Sequence, residues 1–89
     1  MTKKALVVGI DKYKNPAWNL QGCSMDAAVM SGMLQDHFGF PGDNVRLLID
    51  DRATKANILS RLDWLVRDAK PGDVLAFFYA GHGSQVRDR

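Results

Sequence analysis

His82 stands between two glycines, in Ala80-Gly81-His82-Gly83-Ser84, directly after the apolar run Val74-Leu75-Ala76-Phe77-Phe78-Tyr79. An imidazole at the end of a buried strand can serve as general acid or base. Its flanking glycines let the backbone bend close to a substrate, and the Gly83 N–H can face an oxyanion. The plain alternative is a loop histidine closing a strand end, since Gly-His-Gly lacks the spacing of a phosphate loop. Cys23 is the second candidate. It precedes a predicted helix, whose dipole would stabilise a thiolate, so a Cys23/His82 dyad is chemically conceivable. A small buried side chain packing the helix start is the commoner role for a free cysteine. Asp26 lies three residues on, on the same face of the helix start, where it could pair with a guanidinium or simply favour the helix dipole. Asp11, Asp50 and Asp51 follow apolar runs and raise a different class, a cation-binding or phospho-accepting domain of flavodoxin-like kind. Against that class, the third strand ends in His82 rather than a carboxylate, and no apolar-flanked lysine completes the site.

These residues need elements to hold them. Ala5-Leu6-Val7-Val8-Gly9-Ile10 is a continuous apolar run suited to a central strand buried on both faces. Asp11 to Gly22 is polar, and its Asn15-Pro16 step marks a loop. Ser24 is expected to cap a helix running to about Phe38, with Ala27, Met30, Met33, Leu34 and Phe38 as its buried stripe and Gly39 as its stop. Phe40-Pro41-Gly42-Asp43-Asn44 is a turn cluster, and Val45-Arg46-Leu47-Leu48-Ile49 the second strand. Thr54 caps a second helix whose stripe is Ile58, Leu62, Leu65, Val66 and Ala69, broken by Lys70-Pro71-Gly72-Asp73 before the third strand, 74–79. The order β-α-β-α-β implies a parallel sheet flanked by helices, with its site at the carboxyl ends of the strands. Trp64 lies beside the second helix stripe, Trp18 covers core or lines a cleft, and Met25, Met30 and Met33 fit a core stripe better than a cofactor box.

Composition narrows the classes further. The 89 residues allow one small domain, 1–89, and 46% hydrophobic with 25% charged residues describes a chain that builds a core. Twelve Lys+Arg against ten Asp+Glu leave a net charge of +2, too balanced and dispersed for a nucleic-acid or membrane surface. One cysteine and two histidines at no ligand-like spacing give no structural zinc site and no internal disulfide. With no signal-peptide pattern and no membrane-length apolar run, the expected compartment is the cytoplasm.

Five segments in order carry a resemblance: Ala5-Leu6-Val7-Val8-Gly9-Ile10-Asp11-Lys12-Tyr13; Leu20-Gln21-Gly22-Cys23-Ser24-Met25-Asp26-Ala27; Asp50-Asp51 with Thr54-Lys55-Ala56-Asn57-Ile58; Pro71-Gly72-Asp73; and Phe78-Tyr79-Ala80-Gly81-His82-Gly83-Ser84-Gln85. Together they resemble the N-terminal part of a metacaspase-type protease of the bacterial orthocaspase kind, in the caspase-like cysteine peptidase clan. The resemblance implies a caspase-haemoglobinase fold and endopeptidase activity after Arg or Lys. It implies that His82 is the dyad histidine, that Gly83 donates to the oxyanion, and that Cys23 and Asp26 line the pocket for the basic side chain, with Asp26 as its partner. That assignment weakens Cys23 as nucleophile. Ala80 departs from the family's usual Tyr-Ser-Gly-His-Gly, which removes a serine from the same pocket.

The family's nucleophilic cysteine belongs to an Asp-Ser-Cys-His-Ser-Gly-like segment on the next strand, and no such segment occurs here. Seven residues follow His82, whereas a further crossover and strand take on the order of 30. The expectation is therefore a fold incomplete without further strands. Its thiol would come from a second chain of the same precursor, held non-covalently and released by self-cleavage after Arg89. A non-catalytic caspase-like binding or scaffolding module is the alternative. No cofactor is expected in this segment, and calcium is left open for the complete enzyme, because several metacaspases require it.

Overall fold

The computed structural model of the chain describes residues 2–11 and 22–81. Strand β1 (Lys3–Gly9) is followed by helix α1 (Cys23–His37), strand β2 (Val45–Ile49), helix α2 (Lys55–Val66) and strand β3 (Val74–Ala80). The strands form one parallel sheet in the order β2-β1-β3. The chain steps from β1 to β2 and then back across β1 to β3. Right-handed crossovers in opposite directions put their helices on opposite faces of a sheet, and α1 and α2 pack on opposite faces here.

β1 is central and has no wet side: Ala5, Leu6, Val7 and Val8 are all 0% exposed. Alternation divides them between two cores. Ala5 and Val7 pack with Ala27, Leu34 and Phe40 under α1. Leu6, Val8 and Ile10 pack with Leu48, Ala53, Ile58 and Leu65 under α2. Burying side chains of this size contributes about 1.5–3 kcal/mol each, which is why the most apolar run in the sequence sits in the middle.

The helices follow the expected periods with changes at their ends. Thr54 caps α2 as read, its Oγ1 accepting from the Asn57 N–H at 3.1 Å. Ile58 and Leu65 are buried and Leu62 packs against them. Val66 is exposed, because it ends the helix, and Ala69 lies beyond that end. Lys4 Nζ meets the freed carbonyls of Trp64 and Arg67, both at 3.3 Å, a cation at a helix C-terminus. In α1, Ala27, Ser31 and Leu34 are buried and Met30 packs beside them. Met33 and Phe38, expected in the stripe, are exposed, as is Met25. Ser31 takes an inner position instead, its hydroxyl accepting from Gln35 Nε2 at 3.2 Å. Gly39, at φ 73, stops the helix, and the Phe40 N–H reaches back to the Leu34 carbonyl at 3.0 Å.

β3 completes the described sheet and is its least covered strand. α2 packs on β1 and β2, leaving Leu75 and Phe77 of β3 exposed, Phe77 by half. Phe77 pairs with Leu6 in register, so it stands on the α2 face but beyond the helix.

One approach in this fold is unusually close. A Cβ built on Gly9 would lie 2.6 Å from the Cys23 carbonyl oxygen and 2.7 Å from the Ala27 Cβ, so β1 meets α1 where no side chain fits. Gly9→Ala is expected to destabilise the domain by about 1–3 kcal/mol through overpacking. A shift of the denaturant midpoint to lower concentration checks it.

Candidate functional site

The carboxyl edge of the sheet is where β1, β3 and the start of α1 converge. The Ile10 N–H donates to the Ala80 carbonyl at 3.0 Å, extending the β1–β3 ladder past Gly9. Immediately after it, Asp11 turns its carboxylate to the first turn of α1. Oδ1 accepts from the Cys23 N–H at 2.6 Å; Oδ2 accepts from the Ser24 N–H at 3.0 Å and from Ser24 Oγ at 2.5 Å. Asp11 is itself tied to the end of β2, its N–H donating to Asp50 Oδ1 at 2.8 Å.

This corrects one expectation. Ser24 is not the N-cap of α1: Gly22 holds that position, at φ 91 and with no side chain to accept a hydrogen bond, and Ser24 is a donor inside the first turn. Asp11 is committed to helix N–H groups rather than set out for a cation. Among the described residues no group of three or more His, Cys, Asp or Glu side chains is placed to hold a metal ion. No described helix is long and apolar enough to cross a membrane. The capping role of Asp11 escapes a reading by local spacing because the acceptor lies twelve residues before Cys23. The available signal is a glycine at the cap position paired with an acid directly after a buried strand.

Cys23 and Asp26 share the first turn, with the Asp26 N–H donating to the Gly22 carbonyl at 2.8 Å. Cys23 is half-buried and Asp26 exposed. A helix N-terminus normally favours a thiolate; here the opposite holds. Burial pushes the Cys23 thiol pKa up, and the Asp11 carboxylate, then Asp26 and Asp50, push it further. Asp11 itself is held below the usual carboxylate range, the hydrogen bonds from Ser24 and Cys23 outweighing the burial that works to raise it. The edge therefore holds a thiol whose ionisation is opposed by burial and by the carboxylates around it.

Ala80 ends β3 beside this edge, paired in register with Gly9 and half-buried. His82, Gly83 and Arg89 lie outside the described residues, as does Trp18. A cleft of about 350 Å³ bounded by Leu47, Ile49, Asp50, Asp51 and Arg52 opens on the β2 side and includes neither Cys23 nor Asp26.

Residues 3–89 match the family described as metacaspase, peptidase C14 domain. The chain belongs to the metacaspase family. Similar proteins include metacaspase-1A of Aspergillus oryzae, 48% identical over 98% of this chain and 22% of that protein. Metacaspase-1 of Debaryomyces hansenii is 44% identical over 97% of the chain and 21% of its own length. Metacaspase-1 of Botryotinia fuckeliana is also 44% identical, over 97% and 22% respectively. This metacaspase segment thus spans about a fifth of the length of the curated relatives it matches. The open three-stranded parallel sheet between two helices agrees with part of a caspase-like fold.

The raised Cys23 pKa has a measurable sign. A higher pKa leaves a smaller thiolate fraction at any given pH, and the thiolate is the form that reacts. Alkylation of Cys23 in the metacaspase domain should be slow at neutral pH, with a rate profile whose midpoint lies above that of an unperturbed cysteine. Site-resolved mass spectrometry of iodoacetamide adducts against pH checks it.

Proposed function

We propose that this chain supplies the histidine and the basic-residue pocket of a cysteine endopeptidase that cleaves after Arg or Lys. The observation that carries the reading is the carboxyl-edge cluster, where a neutral Cys23 thiol sits among Asp11, Asp26 and Asp50 in the first turn of α1 beside the end of β3. Membership of the metacaspase family supports the peptidase class.

On this reading Cys23 is pocket wall and the nucleophile is another thiol. Cys23 is the single cysteine of the chain, and its surroundings oppose ionisation. The nucleophilic thiol comes from a further segment of the same precursor. It attacks the scissile carbonyl as a thiolate. His82 takes the proton from that thiol and returns it to the departing amine as the C–N bond breaks, the Gly83 N–H stabilises the oxyanion that forms on the carbonyl oxygen, and water then hydrolyses the thioester to release the new carboxyl end and the thiol. Asp26 pairs with the substrate's guanidinium or ammonium, while Ala80 narrows no part of the pocket with a polar group. The substrates are proteins or peptides carrying Arg or Lys, and the expected compartment is the cytoplasm.

The test uses the complete enzyme and matched peptides with Arg, Lys or a neutral residue before the scissile bond. His82→Ala should lower kcat by about 10²–10⁴-fold, the range for loss of a general acid–base group, with folding retained. Asp26→Ala should lower kcat/KM on Arg peptides by about tenfold or more, as for loss of a charged hydrogen-bonding partner, with little change on the neutral peptide. Full turnover by the His82 variant, or an unaltered Arg preference in the Asp26 variant, would refute the corresponding role.

A further inference from the structure

Asp26 is exposed and owes its direction to the first turn of α1, a turn whose cap position is a glycine without a side chain. The orphan N–H groups that open a helix need acceptors. In α1 the Cys23 and Ser24 N–H groups find theirs on Asp11, at 2.6 and 3.0 Å, and the Ser24 hydroxyl adds a third bond at 2.5 Å. Both carboxylate oxygens are engaged. The residue that makes these bonds is in turn fixed through its own N–H to Asp50 at the end of β2. Asp50 holds a φ of 50, a left-handed conformation uncommon outside glycine, so its carboxylate reaches Asp11 from a constrained turn. The close approach at Gly9 leaves α1 no room to slide toward β1.

We propose that Asp11 is a positioning residue for recognition of the basic side chain, acting through Cys23 and Ser24 to fix the first turn of α1 and with it Asp26. The proposal rests on the role given to Asp26 above. It assigns Asp11 no contact with substrate. A carboxylate suits the task better than an amide, because it accepts from both N–H groups at once and its charge lies at the positive end of the helix. Asparagine offers one carbonyl oxygen and turns an NH₂ donor toward a second donor.

The experiment compares Asp11→Asn, Ser24→Ala and Asp26→Ala in the complete enzyme on the matched peptides. Asp11→Asn should raise KM for Arg and Lys peptides about fivefold, the order expected for a lost helix cap, with kcat changed by less than about twofold. In the same variant Cys23 should be alkylated faster at a given pH, since a charge that opposes its ionisation has gone; site-resolved mass spectrometry reads this apart from turnover. Ser24→Ala removes one bond and leaves the carboxylate, so a smaller KM increase in the same direction is expected. It carries the test if Asp11→Asn does not fold. An unchanged KM in the folded Asp11 variant, or in the Ser24 variant where Asp11→Asn is unfolded, overturns the positioning role when Asp26→Ala has lost its Arg preference. If Asp26→Ala keeps that preference, the pocket reading fails first and the Asp11 proposal falls with it.

Discussion

β1 has to be dry on both faces, and the rest of the chain is arranged to make it so. A strand whose Ala5, Leu6, Val7 and Val8 are fully buried needs a neighbour on each edge and a helix on each side. Those requirements account for the step from β1 to β2, the return to β3 and the opposite placement of α1 and α2. They also account for Gly9. Once α1 is drawn down onto Val7, its first turn arrives against the end of β1, and only a residue without a side chain lets the two backbones pass.

From that packing follows the electrostatic character of the carboxyl edge. Asp11 follows directly on the buried run that ends at Ile10, and its carboxylate meets the positive end of α1. Ionised carboxylate and helix N-terminus satisfy each other, leaving Cys23 between a favourable dipole and three acids. Burial prevails together with the acids, Asp11 first among them. A cysteine in the first turn of a helix can thus be chemically quiet, its thiol held back from ionising by the same packing and charges that fix the turn.

Much of this was open to a reader of the sequence. The apolar run 5–10 marks itself as a central strand because every residue is consistent with burial, and Thr54 marks its helix because its cap is local, with the accepted N–H three residues on. The Gly-Cys-x-x-Asp and Gly-His-Gly segments disclose the family through their order. What was hidden depends on distance in the fold. The cap of α1 comes from Asp11, across a loop, so local spacing pointed to Ser24 instead. Met33 and Phe38 have the right period for the α1 stripe, but α1 is apolar on several sides and periodicity does not say which side meets the sheet. Phe38 lies just past the last turn and points away. Val66 fails for a similar reason, the helix ending at that residue.

The strand order has a further consequence, for the path by which the fold is reached. β1 is made before β2 and β3, yet one of its two neighbours, β3, lies at the other end of the described residues, with Thr2 and Val74 joined by a hydrogen bond of 2.8 Å. Contacts so far apart in sequence are slow to form. During synthesis, β1, α1 and β2 can assemble while one edge of the driest strand still lacks a partner. The most apolar segment therefore waits longest for protection, and the nascent chain passes through a stage in which that segment is open to mispairing and to chaperones before Val74–Ala80 has left the ribosome.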